Sequence, residues 1–129
     1  MPSAPVPVPT LVLVDDDTAL RSALKFALEL DGYRVQAFAS AEDLLAAELP
    51  AANICLVVDE NLPGMSGLDT VGALRARSQD LPALLITSHP GPGLRQRARR
   101  MRVPIVEKPL IDDRLVRNIR CALGQSPAA

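Results

Sequence analysis

A chain of 129 residues, 48% apolar and only 2% aromatic, fits one domain packed by aliphatic side chains, because a chain of this size buries roughly two thirds of its unfolded surface. Its opening, "MPSAPVPVP", lacks the basic start and apolar centre of a signal peptide, and no apolar run approaches the ~20 residues that cross a bilayer, so a cytoplasmic protein without a membrane partner is expected. The net charge of −1 hides an asymmetry: Leu94 to Arg120 carries nine basic residues against Glu107, Asp112 and Asp113, a balance of +6 that leaves −7 for the rest, as expected of two surfaces with different partners.

"TLVLV" is a continuous apolar run and predicts a strand. Thr18 to Leu30 follows with Leu20, Leu24, Ala27 and Leu28 on one helical face, and Gly32 is placed to end that helix. "YRVQAF" alternates as an edge strand does. Ser40 and Asp43 form the start of a capping box, which predicts a helix through about Leu49 with Pro50 closing it. "NICLVVD" reads as a third strand and "NLPGMSG" as a type II turn with Pro63 and Gly64 at its centre. Leu68, Val71 and Leu74 then mark a helix, "PALLITS" a strand, and "LRQRARRM" a helix delayed by the "HPGPG" before it. "VPIVE" predicts a short fifth strand, and Leu115, Ile119 and Leu123 the last helix. Residues 1–9 and 125–129 read as flexible tails around a domain spanning 10–124. Cys55 and Cys121 have no metal-type spacing and are expected to be buried free thiols.

Strands that alternate with helices through five units predict a doubly wound α/β sandwich, a parallel sheet covered on both faces. Ligands of such sheets bind beyond the carboxyl ends of the strands. Four strands deliver polar residues to that edge: Asp15 and Asp16, Asp59, Thr87, and Lys108. In the run Asp15–Asp17, Asp17 or Thr18 suits the cap of the following helix. Three carboxylates from two strand ends suit a hard divalent cation, most simply Mg2+. Asp59 would then be a nucleophile toward a phosphoryl group whose oxygens Thr87 and Lys108 bind. Taken singly, each of these residues is as well explained by a cap or a solvated group.

At these residues the chain resembles, from Leu11 to Leu123, the receiver domain of bacterial two-component response regulators. The resemblance implies a flavodoxin-like (β/α)5 fold of strand order 2-1-3-4-5 and makes Asp59 the phosphoacceptor. It makes Asp15 and Asp16 the acidic pair of a Mg2+ site, Asn61 the donor of a backbone carbonyl to the metal, Thr87 the switch hydroxyl and Lys108 the lysine of the "KP" pair. A cis Lys108–Pro109 bond and a Lys108 that reaches Asp59 are implied with it. The phosphodonor would be a sensor histidine kinase or a histidine phosphotransfer protein, the chain catalysing only its own phosphorylation and dephosphorylation. The readout would be the face of the fourth helix, fifth strand and fifth helix.

Some positions depart from the family. Ile105 stands where an aromatic residue is usual, "MRVP" replaces a Gly-Ala before the fifth strand, Glu60 adds a charge beside Asp59, and His89 sits two residues past Thr87. Glu60 and His89 are candidates for tuning the acyl phosphate's lifetime. The arginines at 95, 97, 99, 100, 102, 114, 117 and 120 suit an acidic protein partner or a second copy of the domain; few aromatic residues argue against nucleic acid. Two alternatives stand beside this reading. One is a receiver-fold module that signals without phosphate. The other is a haloacid-dehalogenase-like phosphatase, whose first motif "DDDT" matches only out of register and which leaves Asp59 without a role.

Overall fold

The computed structural model describes residues 8–77, 80–110 and 113–124; of the expected tails, only Val8 and Pro9 fall within them. Strands β1 (Thr10–Val14), β2 (Arg34–Phe38), β3 (Ile54–Asp59), β4 (Ala83–Thr87) and β5 (Ile105–Glu107) form one parallel sheet in the order β2-β1-β3-β4-β5. Helices α1 (Thr18–Leu30), α2 (Ala41–Ala46), α3 (Gly67–Arg75), α4 (Pro92–Arg100) and α5 (Arg114–Ala122) follow the strands in turn. The expected architecture and strand order are both present. Pro9 already joins the ladder, its carbonyl accepting the Arg34 N–H at 3.0 Å.

The period-2 geometry of a strand divides the core in two. Val12, Val14, Leu56, Val58 and Leu85 face one side, where Leu44 of α2, Leu68, Val71 and Leu74 of α3 and Ala98 of α4 cover them. Leu11, Leu13, Cys55, Val57, Leu84, Ile86 and Val106 face the other, under Leu28 of α1 and Leu115 and Ile119 of α5. Each fully buried aliphatic side chain contributes about 1.5–3 kcal/mol, so the three central strands, apolar on both faces, hold the sheet edge that carries the polar residues. Caps fix where three helices begin. Asp17 Oδ1 accepts the Leu20 N–H, Ser40 Oγ the Asp43 N–H and Ser66 Oγ the Asp69 N–H, each at 3.1 Å. Gly64, at φ +82°, supplies the left-handed residue that the expected type II turn requires.

Two expectations are corrected. The second helix stops at Ala46 rather than near Leu49: Ala47 is extended, and Leu49 instead packs against the apolar cluster beneath α2. The residue before a proline is in any case driven from helical geometry, so Pro50 shortens the helix from a distance. Cys121 is exposed, because it shares the outward face of α5 with Arg114 and Arg117, whereas Cys55 is buried, its thiol pushed up to about 12 by that burial.

Helix α4 begins with Pro92 in its first turn and ends in a closure where Arg102 N–H meets the Arg99 carbonyl at 3.1 Å and Val103 N–H the Ala98 carbonyl at 2.9 Å. Arg102 there has φ +58°. This closure ordinarily takes glycine, since a Cβ in left-handed backbone costs about 1–2 kcal/mol. Arg102→Gly is therefore expected to raise the unfolding free energy by about 1 kcal/mol, visible as a higher urea midpoint; an unchanged or lower midpoint would contradict it.

Candidate functional site

The register builds the site. Val14 pairs with Val58, so Asp15, one step beyond, comes alongside Asp59; Asp59 pairs with Ile86, and Thr87 with Glu107, which sets Lys108 at the next strand end. Backbone hydrogen bonds carry the ladder past the apolar run: Asp15 N–H to the Phe38 carbonyl at 3.2 Å, Glu60 N–H to Ile86 at 2.9 Å and Lys108 N–H to Thr87 at 2.9 Å.

One carboxylate oxygen from each of Asp15, Asp16 and Asp59 lies within 4.8 Å of the others. Asp15 and Asp59 are 1% and 3% exposed, Asp16 is open to solvent. Asp59 Oδ1 accepts the Asn61 N–H at 2.9 Å, and Lys108 Nζ donates to Asp59 Oδ2 at 2.6 Å. The Lys108–Pro109 bond is cis. Asp15 Oδ1 accepts the Asp17 N–H at 2.9 Å, while Asp15 Oδ2 is buried with no hydrogen-bond partner among the described residues. Thr87 is buried at the end of β4 with its hydroxyl donating weakly to the Ser88 carbonyl, at 3.3 Å. The third acid of the run, Asp17, serves instead to cap α1.

Burial raises the Asp15 carboxyl above its ordinary range; the Asp17 N–H pulls the other way, and the charges of Asp59 and Asp16 add to the rise. For Lys108 burial alone would lower the ammonium, but the hydrogen bond and charge of Asp59, with the charges of Asp15 and Asp17, outweigh it and leave the group raised. Three carboxylates thus face one lysine. A cation-binding edge is the arrangement that resolves such crowding.

Three other singled-out residues lie apart from this cluster. Glu60 turns toward α3, where its Oε1 accepts the Leu68 N–H at 2.9 Å and its carbonyl the Gly67 N–H at 3.1 Å. A charge that caps a helix N-terminus is stabilised there rather than repelled by Asp59. His89 is exposed, at φ +49°, on the rim of a cleft of about 490 Å³ that Lys108, Pro109 and Leu20 also line. Ile105 is half-buried against the apolar cluster on the α4 side of the sheet.

Two residues escaped the sequence reading. Arg21 Nη1 donates to the Asp15 carbonyl at 2.6 Å, steadying the strand end from one turn into α1. Gly67, first residue of α3, lies so near β3 that a Cβ there would fall 2.4 Å from the Asp59 carbonyl oxygen and 2.8 Å from its carbon. A glycine just inside a helix already capped by Ser66, where propensity disfavours it, was the available signal.

An open parallel sheet with an acidic, lysine-bearing switch-point edge defines a phosphate-handling signalling class within the flavodoxin-like folds. The family of response regulator receiver domains matches residues 11–120. FixJ of Bradyrhizobium diazoefficiens is 35% identical over 122 residues, covering 92% of this chain and 59% of FixJ. DctD of Rhizobium meliloti, a C4-dicarboxylate transport transcriptional regulatory protein, is 36% identical over 115 residues, covering 88% of this chain and 25% of DctD. The crystal structure of FixJ-N superposes with a TM-score of 0.81 at 29% identity, covering 96% of this chain and all of that one. The chain belongs to the receiver domains of response regulators, the phospho-accepting signalling domains of two-component systems. It spans little more than half the length of FixJ. With that family and strand order, nothing supports the haloacid-dehalogenase alternative.

Proposed function

We propose that Asp59 is the phosphoacceptor of this receiver and that Asp15, Asp16, Asp59 and the backbone carbonyl of Asn61 hold Mg2+. The observation that carries this reading is the 2.6 Å contact between Lys108 and Asp59 beside the buried, partnerless Oδ2 of Asp15. That oxygen has no partner among the described residues and is free to serve as a ligand, and the all-oxygen donor set suits Mg2+. Mg2+ supplies charge neutralisation between the carboxylates and the incoming phosphoryl oxygens.

The rest falls to the chain's own groups. An Asp59 carboxylate oxygen forms the new O–P bond as the P–N bond of a phosphohistidine breaks, and the departing imidazole keeps the bond's electrons and takes up a proton. Lys108 exchanges its contact with Asp59 for one with a phosphoryl oxygen, and the Thr87 hydroxyl leaves the Ser88 carbonyl for another. The donor is a sensor histidine kinase or a histidine phosphotransfer protein. In hydrolysis water attacks phosphorus, the O–P bond to Asp59 breaks with its electrons returning to the carboxylate, and inorganic phosphate and a proton leave; His89 at the cleft rim tunes how fast water arrives. Glu60 acts on the same lifetime through α3, whose first turn it holds. Ala19, Ala23, Phe26, Ala27 and Leu30 lie exposed at helical spacing along α1 from the end nearest Asp17, an apolar stripe on which the donor can seat.

Incubation with Mg2+ and acetyl phosphate, read by intact-mass spectrometry, is expected to add one phosphoryl group to the wild type and none to Asp59→Asn. Equal labelling of both would overturn the assignment.

Phosphorylation reaches the α4–β5–α5 face differently from a receiver with an aromatic residue at position 105. Ile105 is smaller and stiff at χ1, so its swing is replaced by adjustment of "HPGPG", which runs from exposed His89 into the first turn of α4. Amide shifts on phosphorylation are expected to be larger at His89, Gly91 and Gly93 than at Ile105 and Val106. The reverse ranking would show that β5 carries the signal unaided.

A further inference from the structure

We propose that Arg21 is a positioning residue of the metal site: by holding the Asp15 carbonyl, it fixes the peptide plane from which Asp16 projects its carboxylate. The inference rests on the reading of Asp15, Asp16 and Asp59 as Mg2+ ligands.

The three ligands are not held equally. Asp59 is fastened by Lys108 and the Asn61 N–H, and Asp15 is buried with one oxygen on the Asp17 N–H. Asp16 is exposed, and its carboxylate has no hydrogen bond or ion pair among the described residues. One of its oxygens nevertheless lies within 4.8 Å of the other two ligand atoms. What holds it there is main chain. The Asp15 N–H donates to the Phe38 carbonyl at 3.2 Å, Arg21 Nη1 donates to the Asp15 carbonyl at 2.6 Å, and the Arg21 N–H donates to the Asp17 carbonyl at 2.9 Å. Arg21 thus grips the turn on both sides of Asp16, once with its side chain and once with its backbone. The Asp15 carbonyl shares a rigid peptide plane with the Asp16 nitrogen, so pinning that oxygen removes a rotation that would swing the Asp16 side chain away from Asp59.

Two features set Arg21 apart from an ordinary surface arginine. A cation in the first turn of a helix opposes the helix dipole, yet Arg21 stands in the first turn of α1, which holds no acidic residue. A half-buried guanidinium next to the run Asp15–Asp17 would ordinarily pair with a carboxylate. It donates to a carbonyl instead and forms no ion pair among the described residues. An arginine–carboxylate pair would compete with a cation for the same oxygens; a bond to the carbonyl orders the turn and leaves those oxygens open. Groups one layer out from a metal commonly orient its ligands in this way.

A Mg2+ titration followed by the amide shifts of Glu60 and Asn61 tests the role on the wild type, Arg21→Met, Arg21→Lys, Asp16→Asn and the double variant Asp16→Asn/Arg21→Met. Arg21→Met keeps the length of the side chain without its donors, and is expected to raise the Mg2+ dissociation constant about tenfold, the lower end of what an outer-layer partner contributes. Arg21→Lys, still able to donate to the carbonyl, should recover most of that loss. With Asp16 already replaced there is no ligand left to position, so the double variant should bind Mg2+ as weakly as Asp16→Asn alone. Labelling of Arg21→Met by acetyl phosphate should be slow at low Mg2+ and return to the wild-type rate at saturating Mg2+. Wild-type amides that ignore Mg2+ would remove the metal site itself and this role with it. A wild type that binds Mg2+ beside an Arg21→Met protein that binds it equally or more tightly, the result expected if the guanidinium merely repels the cation, would overturn the role of Arg21 alone. Additive losses in the double variant, as from a general loosening of α1, would do the same.

Discussion

Alanine at position 67 is expected to destabilise the domain by about 3 kcal/mol and to cut the rate of phosphoryl incorporation. The added methyl would lie 2.4 Å from the Asp59 carbonyl oxygen, 2.8 Å from its carbon and 2.9 Å from Glu60 Cα. All three are backbone atoms and cannot rotate aside, so either α3 retreats from the sheet or the end of β3 moves. Retreat loosens the apolar contacts of Leu68 and Val71; movement displaces the carboxylate that Lys108 and Asn61 hold. Gly93→Ala is the control. Among the described residues nothing lies within 4 Å of its Cβ position, it sits inside α4, and alanine there should stabilise by about 0.5–1 kcal/mol. Urea unfolding of the two variants should move in opposite directions; a Gly67→Ala protein as stable as wild type would show that the α3–β3 approach is soft.

Replacing Asp15 by asparagine should make the metal-free domain more stable while removing its response to Mg2+. The carboxylate is buried, one of its oxygens has no partner among the described residues, and burial together with Asp59 raises its titration above the ordinary range. A neutral amide, able to donate as well as accept, relieves an uncompensated group worth about 1–3 kcal/mol. The pH dependence follows from the direction of the shift. Folded Asp15 keeps its proton to higher pH than the unfolded chain does, so wild-type stability without metal falls as pH rises from the ordinary carboxylate range through the raised titration of Asp15, then levels. Lys108, raised by its carboxylate neighbours, contributes stability that is whole below the ordinary lysine value and lost as pH climbs through the raised one. Saturating Mg2+ should restore the wild type at neutral pH, by about 2.7 kcal/mol at a hundred times the dissociation constant. Asp15→Asn should show neither the acid-range slope nor the Mg2+ gain. A variant that Mg2+ stabilises as much as wild type would remove Asp15 from the metal site.

Much of this was legible in the chain because the relevant residues sit at the ends of apolar runs. "LVLV", "ICLVV" and "ALLI" admit few assignments other than buried parallel strands, and the residue that ends each run is carried to one sheet edge by the parallel register. Asp15, Asp59, Thr87 and Lys108 are readable for that reason, as is the helix cap of Asp17. What was not legible depends on distances between elements. Glu60 lies next to Asp59 in sequence and invites an electrostatic reading, yet its carboxylate turns to the first turn of α3. Gly67 and Arg21 act on backbone carbonyls of β3 and the β1 end, contacts with no signature in spacing. The early end of α2 rests on Leu49 finding the core by leaving the helix, a tertiary gain that outweighs propensity. The exposure of Cys121 was legible after all, since its spacing from Arg114 and Arg117 already places it on the outer face of α5.

The central claim, that Asp59 carries the phosphoryl group, is tested most directly by reductive trapping. Phosphorylation with acetyl phosphate and Mg2+, then treatment with borohydride, converts an aspartyl phosphate to homoserine at the residue that held it, with release of phosphate. Peptide mass mapping is expected to place homoserine at position 59 and to leave Asp15, Asp16 and Asp17 unchanged. Homoserine at any of those three, or none anywhere in a protein that has taken up phosphate, would contradict the account.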